Sequence, residues 1–299
     1  MSTVRILRIL AISAIFGALG AAADPFTIGV SLLTQQHPFY VALADAMKQE
    51  AAKDGVKLDI AIANQDLNKQ VSDVEDFIDK HVNAIILSPV DSRGVKAAVG
   101  KAQKAGIPLI TVDIAANGVD VTCHVATDNY AGGVKAGELM ANVLGGKGKV
   151  GIIDYLTVQS VIDRVAGFKK ALSAYSNIKI VSIQPGITRA EALTTAQNML
   201  QANPDLDGIF GFGDDAALAA LVAVKSAGRA NQVKIVGFDG MQEARTAVDK
   251  EPNFVGVIRQ YPEKMGAIAV DTAVKVLRGQ NVSKLIPVVP GVYTRQSKN

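Results

Sequence analysis

The chain has no tryptophan, one cysteine and three histidines among its 299 residues. The single cysteine, Cys123, cannot form a disulfide within the chain, and we expect it to be a small buried residue in a strand. The histidines, His37, His81 and His124, do not have the spacing of metal ligands. We therefore expect neither a structural disulfide nor a metal site.

A charge excess and cofactor motifs are also lacking. The chain carries 31 Lys and Arg against 28 Asp and Glu, whereas nucleic-acid binding requires a concentrated basic face. The segment GGKGKV precedes a strand-like run instead of following one, GFGDD lacks the third glycine of a dinucleotide fingerprint, and no GxSxG motif occurs. We therefore expect no nucleic-acid partner, no cofactor and no nucleophilic serine.

Long apolar runs are confined to the N-terminus. Arg5 and Arg8 precede an uncharged run from Ile9 to Leu19, and the alanines at 21–23 give a small-residue cleavage site before Asp24. This pattern is typical of a secretory signal peptide, here residues 1–23. The run is shorter than the roughly 20 residues that a membrane-spanning helix needs. We expect a soluble, exported protein that begins near Asp24.

The rest of the chain alternates apolar, β-branched runs with stretches of helical period. The runs FTIGVSL, KLDIAIA, NAIILS and IPLITVD are followed, after VTCHVATD, by KVGIID, IKIVSIQ, DGIFGFG and VKIVGFD. Helices are predicted at about 38–53, 67–80, 92–105, 129–144, 161–175, 189–202 and 214–227. Continuous apolar strands indicate parallel sheets with helices on both faces. The predicted fold class is α/β, with two Rossmann-like lobes that divide near Asp128.

Polar residues stand where the predicted strands end, which is where open parallel sheets bind ligands. Some of them would cap the following helix, and Asp214 is the clearest cap candidate. Asp113 and Asp239 fit a cap less well. Two carboxylates in a cleft would serve either acid–base catalysis or the binding of vicinal hydroxyls, and the pattern alone leaves both open.

Eight segments in a fixed order carry a family resemblance: HPFYVAL, SPVDS, ITVD, VATDNYAGG, RVAGF, QPGITRAEALTTAQNML, VKIVGFDG and VIRQYPEKMG. With them, essentially the whole mature sequence resembles the periplasmic sugar-binding proteins of the ribose type, which serve ABC importers. The resemblance implies an N-terminal lobe of residues 24–127 plus 261–288 and a C-terminal lobe of 128–260 plus 289–299. Hinges are expected near residues 127–128, 260–261 and 288–290, with a ligand cleft between the lobes.

The same resemblance implies a monomeric, non-enzymatic protein of the periplasm. It would capture a monosaccharide or a related polyol by lobe closure and pass it to the permease of the importer. A sensor that presents its ligand to a chemoreceptor or a kinase would share these features. An α/β hydrolase or glycosidase is a third possibility, which the absence of catalytic motifs disfavours. A transcription regulator is excluded, because a helix-turn-helix would stand where the signal peptide lies.

Site residues follow from the resemblance by position. Phe39 is the expected stacking platform for a sugar ring, and Tyr40 would add a second face or a hydroxyl, although both could instead be core residues of one helix. The remaining expected contacts are hydroxyl-accepting Asp113 and Asp239, Arg164, the hinge glutamine Gln260, His37 and Gly213 at family asparagine positions, Ser88 at an amide position and Thr127 at a hydroxyl position. Tyr155 is added because it stands one residue beyond the end of the predicted strand KVGIID, where it could restore aromatic surface from the C-terminal lobe.

Three positions depart from the family pattern. Ile114 replaces an arginine, Gly213 replaces an asparagine, and Ile187 replaces an aromatic residue. Because a lost polar partner costs affinity for a hydroxyl-rich ligand, we expect ribose to bind less well than a deoxysugar, a ketose or a short polyol. We also expect the alanine variants of Asp239 and Arg164 to lose binding but to stay folded, since groups at strand ends that face a wet cleft contribute little to a core.

Overall fold

The computed structural model describes residues 25–298, so the predicted signal peptide lies outside the described residues. The elements up to the first crossing are β1 (Thr27–Leu32), α1 (Pro38–Asp54), β2 (Lys57–Ile62), α2 (Leu67–Asp79), β3 (Ala84–Leu87), α3 (Lys96–Lys104), β4 (Leu109–Val112) and β5 (Cys123–Thr127). None of the helices found between residues 25 and 298 is long and apolar enough to cross a membrane.

The chain continues with a second set of the same kind. Its elements are α4 (Asn129–Val143), β6 (Lys147–Asp154), α5 (Gln159–Leu172), β7 (Asn177–Pro185), α6 (Arg189–Ala202), β8 (Gly208–Gly211), α7 (Asp214–Ser226), β9 (Lys234–Asp239), α8 (Gln242–Lys250) and β10 (Phe254–Arg259). After these come α9 (Pro262–Leu277), β11 (Leu285–Val288), β12 (Gly291–Tyr293) and a short 3-10 helix at Arg295–Lys298.

Two six-stranded sheets result, and each belongs to one lobe. The first has the order β2-β1-β3-β4-β5-β11 with parallel neighbours throughout. The second has the order β7-β6-β8-β9-β10-β12, in which only β12 runs antiparallel to its neighbour. The predicted α/β class with two parallel sheets is confirmed.

The core explains why the strands are apolar along their whole length. Ile85, Ile86 and Leu87 of β3 are consecutive and completely buried although successive side chains point to opposite faces, because helices cover both faces of the sheet. In the second sheet Ile152 and Phe210 are equally buried and stand side by side in register. Each lobe therefore has its own apolar interior, and the strand ends remain available for a site.

The chain passes between the sheets three times: between β5 and α4, between β10 and α9, and between β11 and β12. Helix α9 packs against α1 of the first lobe, whereas α4 packs against α5 of the second. The α4 and α5 backbones touch, since a Cβ on Gly133 would lie 2.0 Å from the carbonyl oxygen of Arg164. This close approach places the Arg164 side chain beneath the ends of the second sheet.

Most predicted helix ends lie within three residues of the observed ones, and α3 is the exception. It begins at Lys96, four residues later than the periodicity predicts. The reason is a turn in which the Asp91 carboxylate accepts hydrogen bonds from the backbone N–H groups of Arg93 (2.8 Å) and Gly94 (2.6 Å). A side chain that bonds the local backbone in this way competes with helix formation.

Candidate functional site

A cavity of about 120 Å³ lies between the carboxyl ends of the two sheets. Both lobes contribute to its wall, as expected for an open parallel sheet whose ligand site lies beyond the strand ends. Nine of the predicted site residues line it: His37, Phe39, Tyr40, Asp113, Tyr155, Arg164, Gly213, Asp239 and Gln260.

Ser88 and Thr127 differ from the prediction, because neither lines this cavity. Ser88 is completely buried behind Tyr40, and its hydroxyl donates a 3.4 Å hydrogen bond to the Tyr40 hydroxyl. The Thr127 hydroxyl is turned toward the sulfur of Met265 at 3.7 Å. Both residues stand at strand ends, but their short side chains face the protein interior.

Asp113 places a buried carboxyl group in the N-terminal wall of the cavity. Its backbone is left-handed, with φ of 65°, a conformation that non-glycine residues adopt at a cost and that often marks functional positions. The Tyr40 hydroxyl donates a 2.7 Å hydrogen bond to Asp113 Oδ2, whereas Oδ1 has no hydrogen-bond partner among residues 25–298. Burial raises the pKa of Asp113 to about 6, against the opposing effect of Arg164. Burial, followed by the nearby Asp113 carboxylate, also raises the pKa of Tyr40.

Asp239 occupies the matching position at the end of β9, again with a positive φ of 98°. Its Oδ1 accepts hydrogen bonds from Gln260 Nε2 at 2.7 Å and from Arg164 Nη1 at 3.3 Å. Its Oδ2 accepts from the backbone N–H of Asp214 at 3.3 Å. Both oxygens of Asp239 therefore have protein partners, while Gln260 Oε1 is buried and unpaired within the described part of the chain.

Arg164 is only 4% exposed, so it does not project into a wet cleft as expected. Nε donates to Asn129 Oδ1 at 2.8 Å and Nη1 to the carbonyl oxygen of Phe212 at 2.9 Å. The guanidinium carbon lies 4.0 Å from the ring centroid of Phe238. Among the described residues the hydrogen bonds of Arg164 use Nε and Nη1, and the residue lines the cavity, so Nη2 is available as a donor to a ligand.

Asp214 was expected to cap α7, and this prediction is wrong. Gly213 is the N-cap, and Asp214 is the first helical residue. The Asp214 carboxylate instead accepts hydrogen bonds from the backbone N–H groups of Gly240 (3.2 Å) and Met241 (2.6 Å). Burial, and then the neighbouring Asp239 carboxylate, raises the pKa of Asp214 well above its usual range. This side chain fixes the turn that follows Asp239.

Phe39 and Tyr40 were predicted to be either ligand contacts or core residues, and their positions fit both interpretations. Both side chains are buried in the core of the first lobe and also border the cavity, with their rings 5.2 Å apart in an edge-to-face arrangement. From the second lobe, Tyr155 meets Phe212 edge-on at 5.8 Å. The replaced positions Ile114 and Ile187 also lie in the wall.

Sequence reasoning missed several wall residues. Gln65 and Phe212 stand at strand ends, so their positions were a usable signal. Val158, Ser160 and Val161 follow β6 in a loop and the first turn of α5, where an apolar residue reads like any core position. The remaining wall residues are Leu33, Thr34, Asp214 and Asp215.

Direct hydrogen bonds also join the lobes beside the cavity. The Ser92 N–H donates to the Thr157 carbonyl at 3.1 Å, and the Gln159 N–H donates to Ser92 Oγ at 2.9 Å. Asn117 Nδ2 donates to Gln159 Oε1 at 2.8 Å. We call these four residues the latch. Since Ser92 and Asn117 belong to the first lobe and Thr157 and Gln159 to the second, the latch joins the two lobes across the cleft.

The cavity thus offers two unpaired acceptors, Asp113 Oδ1 and Gln260 Oε1, one donor on Arg164, and apolar walls. Residues 25–298 contain no group of three or more His, Cys, Asp or Glu side chains placed to hold a metal ion. A small neutral molecule with hydroxyl groups and exposed carbon surface matches this set of groups.

Comparison with known proteins gives a consistent result. Residues 28–281 match the model of the periplasmic binding protein domain. The ribose import binding protein of Bacillus subtilis is 35% identical over 263 residues, or 87% of this chain and 85% of that protein. The xylitol-binding protein of Mycolicibacterium smegmatis is 31% identical and covers 89% of this chain and 76% of its own length.

Solved structures agree with the sequence relatives. A periplasmic solute-binding protein from Actinobacillus succinogenes with bound D-allose superposes with a TM-score of 0.85 at 31% identity, covering 91% of this chain and 98% of that one. A solute-binding protein from Mycobacterium smegmatis with bound glycerol gives 0.86 at 36% identity, covering 91% and 95%.

Proposed function

The chain belongs to the periplasmic binding protein family, and on that basis we propose that it captures a monosaccharide or a related polyol and delivers it to the permease of an ABC importer. The relatives named above include a ribose import binding protein, a xylitol-binding protein and a solute-binding protein with bound D-allose. The observation in this chain that carries the proposal is the cavity between the strand ends, with unpaired hydrogen-bonding groups from both sides of the cleft.

In this proposal Asp113 Oδ1 and Gln260 Oε1 accept ligand hydroxyls, and Arg164 Nη2 donates to a ligand oxygen. Phe39 packs against the carbon–hydrogen face of the ligand, as aromatic rings do in sugar sites. Asp239 acts mainly by holding Arg164 and Gln260 in place, because its Oδ1 already accepts a hydrogen bond from each of them. His37, whose Nε2 lies 3.7 Å from Asp239 Oδ2, closes the site from the first lobe.

We further propose how the molecule works as a whole. Residues 24–127 with 261–288 form one lobe, residues 128–260 with 289–299 form the other, and the three crossing segments act as hinges. The protein is exported by its signal peptide, acts in the periplasm as a monomer and closes around the ligand. A sensor that contacts a chemoreceptor or kinase would use the same cleft, but no observation favours it.

An enzymatic role finds no support in the site. A glycosidase needs one carboxylic acid to protonate the leaving group and a second, free carboxylate to act as nucleophile or base. Asp113 has one free oxygen, but both oxygens of Asp239 accept hydrogen bonds from the protein. The relatives are named as binding proteins, which supports our proposal that the chain binds its ligand without changing it.

A ligand screen tests the proposal. Pentoses, hexoses, deoxysugars and polyols are added to the purified protein, and thermal unfolding is recorded. Ligand at 100 times its dissociation constant should add about 2.7 kcal/mol to the free energy of unfolding. The bound molecule is then recovered and identified by mass spectrometry. A chemically altered product, or a complete panel without any stabilising compound, would overturn the proposed function.

A further inference from the structure

We propose that Tyr40 determines ligand specificity by occupying one oxygen of Asp113. The site then favours ligands whose end in the N-terminal lobe presents a single hydroxyl beside carbon–hydrogen surface, and it disfavours a vicinal diol at that end. This inference rests on the proposed function and names the class of sugar or polyol that the same cavity accepts.

The first observation is the geometry of the Tyr40 hydroxyl. It donates to Asp113 Oδ2 at 2.7 Å and accepts a hydrogen bond from Ser88 Oγ at 3.4 Å. Because Ser88 supplies a proton to the phenolic oxygen, the proton of Tyr40 is directed to Asp113. Tyr40 is 6% exposed and Ser88 is completely buried, so water does not compete for either partner.

A second set of buried bonds holds this pair in place. The side chain of Gln70 is completely buried and bonds the backbone on both sides of Pro89. Its Nε2 donates to the Ser88 carbonyl at 2.9 Å, and its Oε1 accepts from the Val90 N–H at 2.7 Å. Satisfied buried networks of this kind are rigid. Tyr40 therefore cannot easily turn away when a ligand arrives.

The consequence lies in the number of acceptors that Asp113 offers. A carboxylate with two free oxygens can accept both hydroxyls of a vicinal diol. Here only Oδ1 is unpaired, and it is buried at the cavity wall. The N-terminal wall also contains the apolar side chains of Leu33, Phe39 and Ile114, besides the polar Thr34, His37 and Gln65. A second hydroxyl that meets the apolar part of this wall loses its water partners without a replacement, which lowers affinity about tenfold or more.

The opposite end of the cavity does not impose the same limit. Asp239 already accepts three hydrogen bonds from the protein, but Arg164 Nη2 and Gln260 Oε1 remain as a donor and an acceptor. Discrimination between one hydroxyl and two therefore arises in the N-terminal lobe, where Tyr40 acts.

The test uses D-ribose and its 2-deoxy, 3-deoxy and 5-deoxy analogues as probes, with affinities from calorimetry or concentration-dependent thermal shifts. The wild type should bind at least one deoxy analogue as tightly as ribose or more tightly. Tyr40→Phe keeps the ring and frees Asp113 Oδ2. For that analogue, the ratio of ribose affinity to analogue affinity should rise about tenfold in the variant.

The matched control is Tyr293→Phe. It also removes a hydroxyl that bonds an aspartate, Asp249 at 3.1 Å, but it lies outside the cavity. Its affinity ratios should equal those of the wild type. Equal ratios in Tyr40→Phe and the wild type would overturn the role of Tyr40 while the proposed function stands. Failure of the whole panel of sugars and polyols to stabilise the wild type would overturn both.

Discussion

Replacing Arg164 by alanine should cost both affinity and stability, contrary to what the sequence alone led us to expect. The side chain is 4% exposed and makes three hydrogen bonds, to Asn129, the Phe212 carbonyl and Asp239. Its removal leaves the Asp239 carboxylate, itself 7% exposed, without its buried cationic partner. Breaking a buried ion pair from one side costs about 3 to 5 kcal/mol.

Thermal and chemical unfolding of the ligand-free protein measure this loss. For a lobe of this size, about 3 to 5 kcal/mol corresponds to a melting temperature lower by roughly 6 to 20 °C. Arg164→Lys should fall between the wild type and the alanine variant, because an ammonium keeps the charge but cannot form the same fork of hydrogen bonds.

The matched control is Arg189→Ala in the same lobe. Arg189 also pairs with carboxylates, Asp215 and Glu243, but its side chain is 48% exposed. An exposed pair contributes about 0 to 1 kcal/mol. If Arg164→Ala were no less stable than Arg189→Ala, the reasoning from burial would be refuted, and Arg164 would be a binding group that the fold does not need.

Two further predictions concern pH and closure. Burial raises the pKa of Asp113 from 3.8 to about 6, so between these values the folded protein binds a proton that the unfolded chain has released, and stability falls as pH rises through that window. In Asp113→Asn the free energy of unfolding should decrease by at most about 3 kcal/mol less than in the wild type between about pH 4 and about pH 7.5, as measured by denaturant titration. An equal pH dependence of the free energy of unfolding in variant and wild type would contradict this expectation. Asn117→Ala removes one hydrogen bond of the latch without touching the cavity. The closed state should lose about 1 kcal/mol, and the ligand should leave about fivefold faster in stopped-flow experiments with unchanged specificity; wild-type release would show that the latch does not control closure.

The fold could be predicted because local and global signals agree along the chain. Runs such as NAIILS and KVGIID are apolar on both faces, and only a sheet covered by helices on both sides buries such strands. The helix at 189–202 was predicted with its observed ends. A capping box marks its start, since Thr188 and Glu191 bond each other's backbone.

The helix start near Ser92 was predicted less accurately, because the apolar periodicity does not show that a side chain will bond the local backbone instead. Asp91 bonds the following N–H groups and delays α3. The prediction that Asp214 caps α7 was wrong for a related reason. An aspartate before an apolar helix fits a cap, but its carboxylate found donors on Gly240 and Met241, which lie far along the chain and meet it only after folding.

The identity of the ligand-contacting atoms was harder to predict than the identity of the residues. A sequence shows that Asp113 and Asp239 stand at equivalent strand ends, and it suggests two equivalent acceptors. The folded structure makes them different. Gln260 and Arg164 donate hydrogen bonds to Asp239 Oδ1, whereas Asp113 accepts one hydrogen bond, from the Tyr40 hydroxyl to Oδ2. Because a protein donor uses part of the accepting capacity of a buried carboxylate, specificity depends on which lone pairs remain free. Which lone pairs are free depends on contacts between residues far apart in the chain, such as Tyr40 and Asp113, which are 73 positions apart. Counting the polar residues at strand ends does not reveal these contacts.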